Sequence, residues 1–144
     1  MLFIDASVIV AILTDEEDRD VLLDRLAQDN GPFYVSPVVR MEAAFALTRR
    51  RAEALGRDKP ATPAMLEESR QVVDQFLSDL EAKEALISGD VGAKALDAAQ
   101  QFGKIVNHPA KLNMGDCFSY ACARAYRTKV AYKGNDFSLT DIGW

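Results

Sequence analysis

The sequence predicts an α/β fold, a mainly parallel sheet covered by helices on both sides. Three observations carry that prediction. The chain opens on a continuous apolar run, Leu2-Phe3-Ile4, of the kind that suits a strand buried on both faces. Short β-prone or apolar runs recur at Phe33-Tyr34-Val35, Ala85-Leu86-Ile87 and Val130-Ala131-Tyr132. Between them lie longer stretches in helical rhythm, and strands separated by helices throughout imply βαβ units with right-handed crossovers.

Composition bounds the rest. A chain of 144 residues with 49% hydrophobic content is expected to form one domain over residues 1–144 and can bury a substantial core. The net charge of -5 excludes wholesale electrostatic capture of nucleic acid. It leaves a nucleic-acid substrate open where metal ions and a local basic patch offset the acids. No secretory leader pattern and no apolar run near the length of a spanning helix are present, so a cytoplasmic protein is expected. Cys117 and Cys122 lie five positions apart in one predicted helix and point to different faces, which predicts buried free thiols.

The elements follow in order. After the first strand, Ala6 to Leu13 continues apolar as a short buried helix that stops near Thr14-Asp15. Glu17 to Gln28 carries Val21, Leu22 and Leu26 in helical rhythm, and Asn30-Gly31-Pro32 ends it. Ser36-Pro37 then starts a helix running to about Leu55, with serine as cap and proline at the first helical position. The loop Asp58 to Pro63 restarts a helix to about Leu80, giving a helical hairpin clipped onto the sheet. Asp90 to Phe102 and Asn113 to Arg127 are the last two predicted helices, and Ile142 is a candidate edge strand. His108 sits beside Pro109 in a polar turn and is given no catalytic role.

Acidic residues recur at one edge of this arrangement. Asp5 follows the first strand directly, and in open α/β sheets the carboxyl ends of the strands are where ligands bind. Capping of the following helix is the competing reading. Glu42 lies in the second turn of its helix, among Val38, Val39, Phe45 and Ala46, so it occupies an apolar face and needs a cation if buried. Asp116 stands three residues after Asn113 and also reads as an ordinary helix-start acid. Asp136 in Gly134-Asn135-Asp136 reads equally as a turn residue. With the first and fourth strands adjacent, Asp5 and Asp136 would end neighbouring strands and face each other. Convergence of all four would make a pocket of carboxylates whose repulsion is relieved by hard divalent cations, Mg²⁺ or Mn²⁺. That chemistry suits phosphodiester hydrolysis without a histidine or a nucleophilic side chain.

Phe3-Ile4-Asp5-Ala6-Ser7, Glu42 after Ser36-Pro37, Gly115-Asp116 leading into an alanine-rich helix, and Lys133-Gly134-Asn135-Asp136-Phe137 together resemble the successive motifs of the PIN-domain ribonucleases. The VapC-like toxins of type II toxin–antitoxin pairs are the most similar branch, and the similarity covers essentially the whole chain. The resemblance implies a three-layer α/β/α sandwich and a metal-dependent endoribonuclease acting on structured RNA such as transfer RNA. It further implies a homodimer and a small cognate antitoxin that also binds DNA. Carried over residue by residue, it makes Asp5, Glu42, Asp116 and Asp136 the metal ligands, with Ser7, Asn135 and Thr140 supporting them. Asp141 is expected in a solvated turn instead. The segment from Ser88 to Lys111 departs most from the family pattern.

A substrate-facing patch should be positive even in an acidic protein. Residues 40 to 59 hold six cations against three acids, and Arg40, Arg49, Arg50 and Arg51 are the candidates for RNA contact. A solvated helix end is the competing reading. The competing function is a Mg²⁺-binding phosphoacceptor module of the receiver type, for which Lys133 speaks and the absence of an acid after the third strand speaks against.

Overall fold

The computed structural model describes residues 1–144. Its sheet has four parallel strands in the order β3-β2-β1-β4. Strand β1 (Leu2–Ile4) is central, pairing with β2 (Phe33–Val35) on one side and β4 (Lys129–Ala131) on the other. All three β1 side chains are fully buried, as a strand covered on both faces requires. The chain winds outward from β1 through β2 to β3, then returns across β1 to β4. Winding therefore reverses between β1 and β4, and a crevice at their carboxyl ends is the expected ligand site.

Helix starts follow local chemistry closely. Asp5 caps α1 (Ala6–Leu13), Ser36 caps α3 (Pro37–Ala54), Thr62 caps α4 (Pro63–Asp79) and Ser88 caps α5 (Gly89–Phe102), each accepting a backbone N–H of the first turn. Asn113 and Asp116 form a reciprocal capping box at the start of α6 (Met114–Ala125). Helices α3 and α4 form the expected hairpin, clasped by Arg40 to Asp74 and Arg51 to Glu68. One continuous core of 32 buried hydrophobic residues runs from Leu2 to Ile142, so sheet and helices pack as a unit. Cys117 and Cys122 are buried free thiols, as expected.

Five expectations are corrected. The third strand is Lys83–Glu84, not residues 85–87; Ala85 still donates to the Val35 carbonyl, but Leu86 turns out to solvent. This edge strand exposes both its side chains, so hydrophobicity could not mark it. Helix α2 spans Arg19–Gln28, because Asp15 adopts a left-handed conformation and the chain turns before helix can resume. Helix α6 ends at Ala125, ahead of left-handed Arg127, and β4 begins one residue earlier than expected. Ile142 is buried in the tail but joins no strand.

Candidate active site

Asp5 is 5% exposed and held from three directions. One oxygen accepts the Ser7 backbone N–H at 3.0 Å and the Ser7 hydroxyl at 2.6 Å, and the other accepts the Ser119 hydroxyl at 2.9 Å. Ser7 also accepts the Lys133 N–H at 3.0 Å, tying the segment after β4 to the start of α1. Asp5 therefore caps α1 and also stands at the carboxyl end of β1.

Asp116 is 7% exposed at the start of α6, where it accepts the Asn113 N–H at 3.0 Å. Burial, with the charges of Asp5 and Asp136 added, pushes its carboxyl up to about 7 against the Asn113 bond, which pulls it down. The nearness of Asp136 raises the Asp116 carboxyl further, while that of Asp116 pulls Asp136 down. Burial first and Asp5 second also raise Asp136. Asp136 does not end a strand as expected. It lies five residues beyond β4, at the head of a 3₁₀ turn over Phe137–Leu139, and makes no capping bond there.

Glu42 comes from α3. Burial, then the negative charges of Asp5 and Asp116, push its carboxyl up to about 7. Its Oε1 is buried with no hydrogen-bond partner, an expensive state that a cation or a proton relieves. The carboxylate presses on the backbone at Gly115: a Cβ there would stand 2.1 Å from Oε2. Glycine precedes Asp116 because that close approach leaves no room for a side chain.

Side chains from positions 5, 42, 116 and 136 thus share one electrostatic neighbourhood. None of them has a lysine or arginine at ion-pair distance. No three of them stand in the arrangement of a closed cation cage, so the site is a group of mutually repelling carboxylates rather than a finished coordination sphere. Ser119, fully buried, escaped the sequence reading. The signal was its spacing, three residues after Asp116 on the same face of α6.

The other candidates divide. Ser7 touches Asp5, whereas the Thr140 hydroxyl turns to the Phe137 carbonyl at 2.7 Å, and the Asn135 carbonyl accepts the Ser138 hydroxyl. Arg40 is held by Asp74 and Glu84, Arg51 by Glu68, and Arg50 by Glu16. Arg49 has no ion pair and lines a cavity of about 500 Å³ with Ser7, Glu42, Phe45 and Lys133. Lys133 is committed to Glu16 and Asp18. Asp141 is not merely solvated; it accepts the Tyr120 hydroxyl at 2.6 Å and pairs with Arg124. His108 accepts the Ala110 N–H, a local turn role.

The chain matches the PIN domain over residues 2–143. It is 47% identical over 143 residues to a VapC ribonuclease of Rhizobium meliloti, covering 99% of this chain and 100% of that one. It is 32% identical over 146 residues to ribonuclease VapC42 of Mycobacterium tuberculosis, covering 98% and 96%. Among solved structures, VapC20 of Mycobacterium tuberculosis, a sarcin-ricin-loop-cleaving toxin, superposes with a TM-score of 0.69 at 17% identity, covering 99% of this chain and 96% of that one. VapBC2 of Rickettsia felis, bound to a promoter DNA fragment, gives 0.59 at 16% identity, covering 96% and 91%. These matches leave the receiver-type alternative without support, and Ala85 rather than an acid follows β3. The chain belongs to the PIN-domain family, among the VapC ribonucleases.

Proposed function

We propose that the chain is an endoribonuclease toxin that hydrolyses RNA phosphodiester bonds at the crevice between β1 and β4, and that a VapB-like antitoxin neutralises it. Four carboxylates gathered from distant parts of the chain with no cationic side chain to balance them carry this reading. The donor set is all hard oxygen, and Glu42 offers a buried oxygen without a partner, which fits a divalent cation such as Mg²⁺ or Mn²⁺. Asp5, Glu42, Asp116 and Asp136 would hold it. A bound cation supplies positive charge that polarises water and the phosphoryl oxygens.

The chain's own contribution is placement. Asp5 is fixed by Ser7 and Ser119, so its two oxygens point in set directions. Glu42 and Asp116, with carboxyls near neutrality, release their protons as positive charge enters. Ser7 joins the β1 and β4 edges and keeps the crevice from spreading. No histidine or nucleophilic side chain enters the chemistry. The chain acts as a homodimer in this reading, in the cytoplasm, and no helix is long and apolar enough to cross a membrane.

The test is cleavage of cellular RNA by purified protein with Mn²⁺ or Mg²⁺, with and without chelator, for the natural chain, Asp5→Asn and Asp116→Asn. Cleavage that needs the metal and is lost in both variants is the expected result. Full cleavage by both variants, or by the natural chain in excess chelator, would overturn the proposal. Co-expression with the product of an adjoining small reading frame should restore growth.

A further inference from the structure

The cavity beside the carboxylates has a mixed lining that the hydrolytic chemistry alone does not use. Helix α3 presents Glu42, Phe45 and Arg49 at spacings of three and four residues, which places them along one side. Glu42 and Arg49 stand about 10 Å apart along the helix axis. The same open depression is lined by Ala6, Ser7 and Val10 of the α1 region and by Glu16, Lys133 and Gly134. The volume, about 500 Å³, lies within the range of small-ligand sites.

Two features give this cavity a direction. Phe45 is 41% exposed, a large aromatic ring left beside a polar site. Arg49 has acids nearby in Glu16 and Glu42, yet it pairs with neither. Its neighbours Arg50 and Arg51 and the lysine of the same lining are all neutralised within the protein. An exposed aromatic face and one uncommitted guanidinium, reached from the carboxylates along a single helix side, match an unstacked base and a phosphate.

Resting on the ribonuclease reading, we propose that this cavity binds the nucleotide next to the scissile phosphate, with its base stacked on Phe45 and a phosphate held by Arg49. Phe45 is then a specificity residue, and the protein requires an unpaired base at that position of its RNA. The ring also borders the groove between α3 and α4, with Met41 and Leu66, so a side chain of a protein partner is the rival occupant.

The experiment measures binding of a short fluorescein-labelled single-stranded RNA of mixed sequence, and of the same strand made abasic, in Ca²⁺ buffer by fluorescence anisotropy. The natural chain is compared with Phe45→Ala, Phe45→Leu, Phe45→Tyr and Arg49→Gln, and thermal melts establish that each is folded. Phe45→Ala and Phe45→Leu should weaken binding of normal RNA about 10-fold and leave abasic RNA unchanged, while Phe45→Tyr binds as the natural chain does. Arg49→Gln should weaken both strands and reduce the slope of log affinity against log salt by about 0.7. Unchanged binding of normal RNA by Phe45→Ala and Phe45→Leu, or equal losses on both strands, overturns the proposal. So does a defect confined to neutralisation by the antitoxin, which would give Phe45 to the protein partner. Cleavage with Mn²⁺ is measured in parallel. Cleavage by the natural chain with unchanged Phe45→Ala binding removes the nucleotide site alone, and the expected binding pattern without cleavage removes the nuclease reading alone.

Discussion

Glu42 and Gly115 meet across the join of α3 and α6, the carboxylate so close to the glycine that a β-carbon there would stand 2.1 Å from Oε2. Gly115→Ala must therefore move the Glu42 carboxylate or the start of α6, which carries Asp116. The fold should survive, since the obstructing atoms belong to a side chain. Cleavage should fall about 100-fold, the cost of displacing a reacting group by about an ångström. A steady-state assay of RNA cleavage beside a thermal melt checks this, and near-normal cleavage by Gly115→Ala would show that the contact is not required.

The raised carboxyls set a pH dependence of stability. Glu42 and Asp116 keep protons in the folded state up to about 7, whereas in the unfolded chain they release them near the ordinary values of 4.5 and 3.8. Unfolding therefore releases protons, and stability contributed by these groups is greatest below about pH 4 and declines up to about pH 7. Asp29 and Glu16, whose carboxyls are lowered by the amino terminus and by Lys133, act in the opposite sense, so the readout is a difference between proteins. In EDTA, Glu42→Gln and Asp116→Asn should melt above the natural chain at pH 8 and close to it at pH 4. Parallel melting curves at both pH values would contradict the assignment.

Much of this site was legible in the sequence because its acids sit at positions fixed by strong local signals. Asp5 follows a buried strand directly, Glu42 follows a Ser-Pro helix start, and Asp116 lies in a capping box, so secondary structure alone locates three of the four. The sequence marks Asp136 as an acid near the last strand but not its place five residues past β4, because a turn beyond the strand has no periodicity to fix its reach. The third strand starts two residues before the apolar run, because an exposed edge pair of lysine and glutamate carries no apolar signature. The arginines read as one positive patch, yet three of them are spent on acids brought near only by folding. Ser119 shares a helix face with Asp116, but nothing local ties it to Asp5, its partner 114 positions away.

Divalent metal should stabilise the fold in proportion to the charge it relieves. Mn²⁺ or Mg²⁺ added to chelator-treated protein should raise the melting temperature, and more at pH 8 than at pH 5, because protons compete for the same carboxylates. Asp5→Asn should reduce the rise at both pH values. Differential scanning fluorimetry across a metal titration measures it, with Ca²⁺ as a comparison of ion size. An equal rise in the natural chain and in Asp5→Asn would place the metal elsewhere.

Ser119 gives a sharper probe of Asp5 than replacing the aspartate itself. Ser119→Ala removes one buried donor and leaves Asp5 Oδ1 without its partner, at a cost of about 1–3 kcal/mol in stability. With its orientation held only by Ser7, the carboxylate should bind metal more weakly, and cleavage should need about 10-fold more Mn²⁺. Metal titration of the cleavage rate separates this from a purely structural effect, which would lower the melting temperature and leave the metal requirement unchanged.

The arginines separate into structural and uncommitted groups, and salt dependence tells them apart. Arg40 joins α3 to Asp74 of α4 and Glu84 of β3 across a half-exposed surface. Arg40→Ala should cost about 1 kcal/mol or less and leave the salt slope of RNA binding as it is. Its guanidinium is satisfied before any phosphate arrives, and the two acids it leaves behind repel RNA only weakly through solvent. Arg51→Ala, which frees Glu68, should behave the same way. Measured together by melting and by anisotropy at several salt concentrations, the pair would refute this division if either variant flattened the slope while keeping its stability.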